Sequence, residues 1–124
     1  MRTIIAVAIA GALGALSRYG LEGLISGRFP GAFPIGTFVV NITGSFLLGL
    51  LFIILTERTT VEPAVRTALT VGFIGAYTTF STFSFETVRL LEDGAYATAA
   101  LNVVATLALG LVAVWFGMAL GRAM

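Results

Sequence analysis

The sequence contains no cysteine and no histidine, and only 10% of its 124 residues are charged. The lack of thiols and imidazoles excludes disulfides, cysteine nucleophiles and most transition-metal sites. A net charge of +1 gives no basic surface for nucleic acid, and the abundance of apolar residues excludes a disordered tail. Soluble domains carry about 25% charged residues. This chain has too little polar material to cover a core, so a soluble enzyme is effectively excluded.

Long uncharged runs occupy most of the chain. Four of them, at 3–17, 29–56, 67–85 and 94–121, contain 15, 28, 19 and 28 residues. About 20 helical residues cross the hydrocarbon core of a bilayer. We therefore predict an all-α membrane protein, a single transmembrane domain over 1–124 with helices at about 3–26, 35–56, 66–91 and 96–122. A secretory signal peptide is the alternative for the first run, but its removal would leave only three spans.

The arginines are divided almost evenly between the two ends of these helices. If the N-terminus lies in the cytoplasm, four arginines are inside and three outside, with Arg18 counted in the outer group. An excess of Arg and Lys on one side normally fixes the orientation of a membrane protein. The near balance favours insertion in both orientations, which permits an antiparallel homodimer. The alternative is that a few details of lipid and sequence decide one orientation.

The third predicted helix is rich in glycine and hydroxyl residues. In the segment 72–84, two glycines precede six hydroxyl side chains. Gly75 lowers helix propensity, and the β-branched Thr78 and Thr79 lower it further, so we predict a break near 75–79. Unwound backbone at membrane depth must be buried in protein or line water, and it exposes carbonyl and amide groups to ions. The alternative is an unbroken helix whose hydroxyls bond to its own carbonyls.

Aromatic and polar side chains lie at helical spacing in the same region. Phe80 and Phe83 share a face if the segment is helical there. The positive edges of aromatic rings beside hydroxyl donors can hold a small anion, although ordinary packing is the alternative for such a pair. In the second helix, Thr37, Asn41 and Ser45 form a polar stripe. Asn41 is a candidate donor to an anion. The alternative is that its amide forms a hydrogen bond across a helix interface.

Ionisable residues within the spans are few. Arg18 lies in the first helix, where an embedded charge is a functional candidate by default. The alternative is a side chain that extends to the interface and pairs with Glu22. Glu86 lies near the end of the third helix and is a candidate for proton transfer.

Three motifs carry a resemblance to a known family. The first helix has the pattern Gly-x-x-Gly-x-x-x-Arg-aromatic at Gly11, Gly14, Arg18 and Tyr19. The second helix contains PIGTFVVNITGSF and the third contains GFIGAYTTFSTF. On these motifs the chain resembles the Fluc (CrcB) fluoride channel family over nearly its whole length, with a weak match in the fourth helix. The family often has two glycines at the helix break, whereas this chain has Ala76 at the second position.

The resemblance implies a function and an assembly. It implies a passive channel that exports cytoplasmic fluoride through the inner membrane of a bacterium or archaeon and so confers fluoride resistance. It also implies a dual-topology homodimer with two pores and a central structural sodium ion. The sodium would be held by backbone carbonyls of Gly75 and Thr78 from each subunit. The fluoride pathway would include Arg18, Thr37, Asn41, Phe80, Ser81, Thr82, Phe83 and Ser84.

Two other functions remain open on the sequence. A small proton-coupled multidrug-type transporter also has four helices and is often dual-topology, but it needs a carboxylate within a span. Glu22 and Glu86 are the only candidates for that carboxylate, and both lie toward helix ends. A structural subunit of a larger membrane complex is the second possibility, and it predicts no ion flux from the purified protein. A membrane enzyme is not expected, because no nucleophile–base pair is present.

Overall fold

The computed structural model describes residues 1–124, and its regular structure is entirely helical. Helix α1 comprises Arg2–Arg28, and α2 comprises Ile35–Arg58, of which Ile54–Arg58 is a π-helical turn. Helix α3 covers 63–77, where the π-helical stretch Ala68–Ile74 lies between the α-helical turns Pro63–Thr67 and Gly75–Tyr77. Helix α4 is Phe80–Glu92, and α5 is Tyr96–Ala123. The all-α prediction is confirmed.

Three of these helices, α1, α2 and α5, are long and apolar enough to cross a membrane. The third predicted span is instead divided between α3 and α4. Helix α4 has 13 residues, which correspond to about 20 Å at 1.5 Å per residue. That length is short of the roughly 30 Å hydrocarbon core, so α4 does not cross the core alone. Outside the division, the predicted helix bounds differ from the observed ones by at most three residues.

The contact between α2 and α5 is the most extensive in the fold. A Cβ atom on Gly49 would lie 2.3 Å from the carbonyl oxygen of Val114, and one on Gly117 would lie 2.2 Å from that of Phe46. Only hydrogen fits at these two positions, so the backbones approach more closely than larger side chains would permit. Without a hydrophobic driving force in lipid, such close packing between small residues is a main source of helix association.

Helix α1 packs against the π-helical stretch of α3 in a similar way. A Cβ atom on Gly14 would lie 2.2 Å from the Phe73 carbonyl oxygen, and one on Gly72 would lie 2.9 Å from the Val7 carbonyl oxygen. This close contact fixes the end of α3 against the middle of α1. The division between α3 and α4 therefore lies inside the helix bundle.

Candidate ion site at the broken helix

Two residues with extended backbone separate α3 from α4. Thr78 has φ −83° and ψ 156°, and Thr79 has φ −148° and ψ 109°. The break was predicted near 75–79 on account of Gly75, Thr78 and Thr79, and it lies at the two threonines; Gly75 itself is helical, with φ −60° and ψ −36°. Extended backbone suits β-branched residues, so the break needs no glycine. Ala76 lies in the last helical turn of α3, and the family's usual second glycine is not required there.

Asn41 of α2 holds the unwound segment in place. Its Nδ2 donates to the carbonyl oxygen of Thr79 at 3.1 Å, and its Oδ1 accepts from the Thr79 amide at 2.7 Å. Thr79 is buried, so both of its backbone groups need partners within the protein. One asparagine therefore replaces the two backbone bonds that the helix would have supplied.

Several carbonyl groups lose their helical donors at the break, and those of Gly75 and Thr78 are among them. In a continuous α-helix, the amide of Thr79 would donate to Gly75 and the amide of Thr82 to Thr78. The Thr79 amide donates instead to Asn41, and the Thr82 amide donates to Thr79 Oγ1 at 3.2 Å. The carbonyls of Gly75 and Thr78 are the pair that the family resemblance assigns to sodium. Such unwound carbonyls at the end of a half-helix are known Na⁺ ligands, so this donor set fits the ion.

A cavity of about 300 Å³ opens beside the break. The rest of the wall consists mainly of aliphatic side chains of α5. The residues that line the cavity beside these side chains include Asn41, Ser45, Thr78, Phe80, Phe83 and Thr106. The rings of Phe80 and Phe83 have centroids 5.7 Å apart at an interplanar angle of 43°, so the two side chains do share a face. The structure thus brings together three of the predicted pathway residues, which are Asn41, Phe80 and Phe83.

The other hydroxyls predicted on α4 do not line this cavity. Ser84 Oγ donates to the Phe80 carbonyl at 2.9 Å, and Thr82 Oγ1 accepts from Thr79 Oγ1 at 2.9 Å. Ser81 is exposed, with its Oγ 3.4 Å from Thr79 Oγ1. Thr82 supports the first turn of α4, and Ser84 bonds to its own helix.

Arg18 lies on the other side of the break. Its Nε donates to the carbonyl oxygen of Ala76 at 3.2 Å, which gives the last turn of α3 a charged partner. Arg18 and Glu22 line the same opening of about 340 Å³, but they form no ion pair. The alternative of an Arg18–Glu22 pair is therefore wrong, because the guanidinium is drawn to the exposed helix end instead.

Thr37 lies one turn of α2 before Asn41, between two carboxylates. Its Oγ1 is 2.8 Å from Glu86 Oε1 and 3.4 Å from Glu22 Oε1, and Thr37 itself is buried. The second oxygen of Glu86 is buried without a partner. Sequence reasoning named both acids, but it had no signal that the fold brings them together. Thr37 is separate from the cavity at the break.

A further polar contact joins α4 to α5. Asn102, which is 1% exposed, donates to Thr87 Oγ1 at 2.9 Å and accepts from Thr106 Oγ1 at 3.3 Å. Ser45 and Thr106 line the cavity, although neither was among the predicted pathway residues. For Ser45, the i, i+4 spacing from Asn41 was the available signal.

The chain is similar to one family over most of its length. The family model described as "CrcB-like protein, Camphor Resistance (CrcB)" matches residues 5–118. A protein named "Fluoride-specific ion channel FluC" from Geotalea daltonii is 49% identical over 122 residues, which are 98% of each chain. A protein of the same name from Acidobacterium capsulatum is 50% identical over 116 residues, 94% of this chain and 93% of its own. One from Geotalea uraniireducens is 47% identical over the full length of both chains.

These likenesses agree with the helices described above. Three helices are able to cross a membrane, and the relatives are named as ion channels. The chain is therefore a multi-pass membrane protein.

Proposed function

The chain belongs to the CrcB-like family, and from this premise we propose that it is a fluoride-selective ion channel and not an enzyme. The observation that carries the proposal is the cavity at the broken helix, where two phenyl rings lie beside amide and hydroxyl groups. No side chain with a fixed charge lines this cavity. The names of the relatives specify fluoride as the ion.

The chemistry of the cavity suits a small anion that must pass through quickly. Fluoride is small and strongly hydrated, so an ion that leaves water needs several close donors. Asn41 offers an amide, and Phe80 and Phe83 can turn their positive ring edges toward the ion. Conduction requires binding weak enough for release, and neutral donors bind an anion less tightly than arginine would.

The direction of transport follows from acid–base chemistry. Hydrogen fluoride crosses a bilayer as a neutral molecule and dissociates in a neutral cytoplasm, so the anion accumulates there. A membrane potential that is negative inside drives a monovalent anion outward by about 2.3 kcal/mol per 100 mV. A passive channel in the cell membrane would therefore export fluoride and confer resistance.

The proposed assembly is an antiparallel homodimer with two pores and a central sodium ion. Its support is the pair of carbonyls, Gly75 and Thr78, whose amide donors are taken by other groups. One chain offers two such oxygens, and a second copy of opposite orientation would offer two more. The C-terminal end of α3 carries partial negative charge, which favours a cation there. Bound sodium would balance the partial negative charge of these carbonyl oxygens and hold the broken helices of the two subunits together.

One observation bears on the proton-coupled transporter as an alternative. Glu22 and Glu86 approach the same Thr37 hydroxyl, and a pair of membrane carboxylates is a common means of carrying protons. A transporter of that kind needs a proton gradient to move its substrate. Fluoride efflux that is independent of any proton gradient would exclude it.

The test is fluoride efflux from liposomes that contain the purified protein, followed with a fluoride electrode. We expect fast efflux of fluoride, little efflux of chloride, and a strong loss of flux in Phe80→Ile. Phe85→Ile is the matched control, since Phe85 is exposed on the same helix and does not line the cavity. Absence of fluoride flux from well-folded protein would refute the channel. Equal flux in the two variants would refute the role of Phe80.

A further inference from the structure

Most hydroxyl groups that line the cavity at the break are already engaged. Thr78 Oγ1 donates to the carbonyl oxygen of Ile74 at 3.1 Å. Thr79 Oγ1 donates to Thr82 Oγ1 at 2.9 Å, and Thr106 Oγ1 donates to Asn102 Oδ1 at 3.3 Å. Because a hydroxyl has one hydrogen, none of these three has a second to offer an anion.

Two donors on α2 remain available to the cavity. The Asn41 amide has two hydrogens, of which one goes to the Thr79 carbonyl. The Ser45 hydroxyl makes no hydrogen bond within the chain, although serine and threonine in a helix commonly donate to the carbonyl four residues back. Thr43, Thr56 and Ser84 do so here. Ser45 does not donate in this way, and it lines the cavity.

The positions of the two donors fit a single small ion. Asn41 and Ser45 are four residues apart on α2 and so lie on one face, about 5–6 Å apart at Cβ. Across the cavity, a Cβ atom added to Gly110 would lie 3.8 Å from Ser45 Oγ. The absence of a side chain at Gly110 therefore leaves the hydroxyl uncovered. In surroundings of low polarity, each donor interacts more strongly with an anion than it would in water.

We propose that Ser45 is a second anion-binding donor, which holds a fluoride ion together with the free amide hydrogen of Asn41. The site is an addition to the predicted pathway, and it rests on the proposed function for the identity of the anion. Phe80 and Phe83 line the same cavity.

The experiment compares Ser45→Ala and Ser45→Thr with the wild-type protein in two measurements. The first is the rate of fluoride efflux from liposomes. The second is the rise in thermal unfolding temperature that fluoride causes relative to chloride, because a ligand of the folded state stabilises it. Ser17→Ala is the control, since it removes the same hydroxyl from an exposed residue of α1 outside the cavity. We expect Ser45→Ala to lower the flux about 10-fold or more, in line with a hydrogen bond to a charged group.

The two measurements separate the inference from the function on which it rests. Ser45→Ala should also lose the fluoride-dependent rise in unfolding temperature, while Ser45→Thr and Ser17→Ala should retain it. If the wild-type protein conducts fluoride and Ser45→Ala matches it in both measurements, the inference fails and the channel stands. If the wild-type protein shows the stabilisation without flux, and Ser45→Ala loses it, the donor site stands and the channel fails. A wild-type protein with neither property would overturn both.

Discussion

At the scale of single residues, Asn41 connects the architecture to the chemistry. Its side chain bonds to both backbone groups of Thr79, and one amide hydrogen is left for the cavity. A lone asparagine in a membrane helix has two common roles, a bond across a helix interface or a contact with a ligand. Here the first role is observed, and it leaves room for the second. Loss of Asn41 should therefore affect stability as well as conduction.

Substitution of Asn41 by leucine should destabilise the protein more than other changes of similar size on α2. The variant would leave the buried amide and carbonyl of Thr79 without partners, and each unpaired group costs about 1–3 kcal/mol. We expect the free energy of unfolding to fall by about 2 kcal/mol or more, measured by denaturant titration in detergent. Ile42→Leu, at the next position, is the control and should change stability little. An equal effect of the two substitutions would contradict the bridging role of Asn41.

The hydroxyl run on the third span shows what the sequence does and does not reveal at this scale. Phe80 and Phe83 were correctly expected on one face, because i, i+3 spacing fixes that relation within a helix. The positions of Ser81, Thr82 and Ser84 relative to the cavity did not follow in the same way. A hydroxyl can donate to its own backbone or to a neighbour instead of a ligand, and sequence alone does not distinguish these uses.

At the scale of helices, the break depends on contacts that are distant in sequence. Its existence and its approximate position, within 75–79, were predictable from glycine and threonine content, but the contacts that hold it there were not. Thr79 is the N-cap of α4, with its side chain accepting from the Thr82 amide, and Asn41 approaches from another helix. The contact between residues 41 and 79 has no local signature, so local propensity indicated only the range 75–79, and the structure narrows the break to Thr78 and Thr79.

Replacement of Thr79 by alanine should weaken both α4 and the proposed sodium site. Loss of an N-cap side chain costs about 1 kcal/mol. It also frees the Thr82 amide to return to the carbonyl of Thr78, which would then no longer be available to a cation. We expect the unfolding temperature of Thr79→Ala to depend less on sodium than that of the wild-type protein, with potassium as the reference salt. Thr79→Ser keeps the cap and should keep the sodium dependence; the same dependence in all three proteins would argue against this pair of carbonyls as ligands.

The close crossing of α2 and α5 makes a second prediction about helices. A methyl group on Gly117 would lie 2.2 Å from the backbone of Phe46, and the helices would have to separate to admit it. We expect Gly117→Ala to lower the free energy of unfolding by about 1–3 kcal/mol. Gly23→Ala is the matched control, because no atom lies within 4 Å of the added methyl and alanine favours the helix. If both substitutions change stability equally, the crossing is not held by close backbone contact.

At the scale of the whole molecule, a charged side chain joins the ends of two of the long helices. Arg58 at the end of α2 donates to the carbonyls of Gly121 and Arg122 at the end of α5, at 3.2 and 2.8 Å. These two helix ends therefore lie together, as alternating spans require. The helices that cross the membrane were predictable because apolar length is read directly from sequence. Contacts between chains leave no comparable pattern, and the balance of arginines is the one sequence feature that bears on the proposed assembly.

A pair of variants with fixed and opposite orientations tests the antiparallel homodimer. Thr59→Arg with Thr60→Arg adds positive charge on the side of the N-terminus, and Gly31→Arg with Ala97→Arg adds it on the opposite side. All four positions are exposed. Because excess arginine retains a loop in the cytoplasm, each double variant should insert in one orientation, measured by labelling of single cysteines introduced at the termini. We expect neither double variant to conduct fluoride when expressed alone, and flux to return when both are expressed together, since each supplies the partner that the other lacks. Flux at the wild-type rate from one singly oriented variant would contradict an antiparallel assembly. It would indicate instead that the channel is formed by chains that all face the same way.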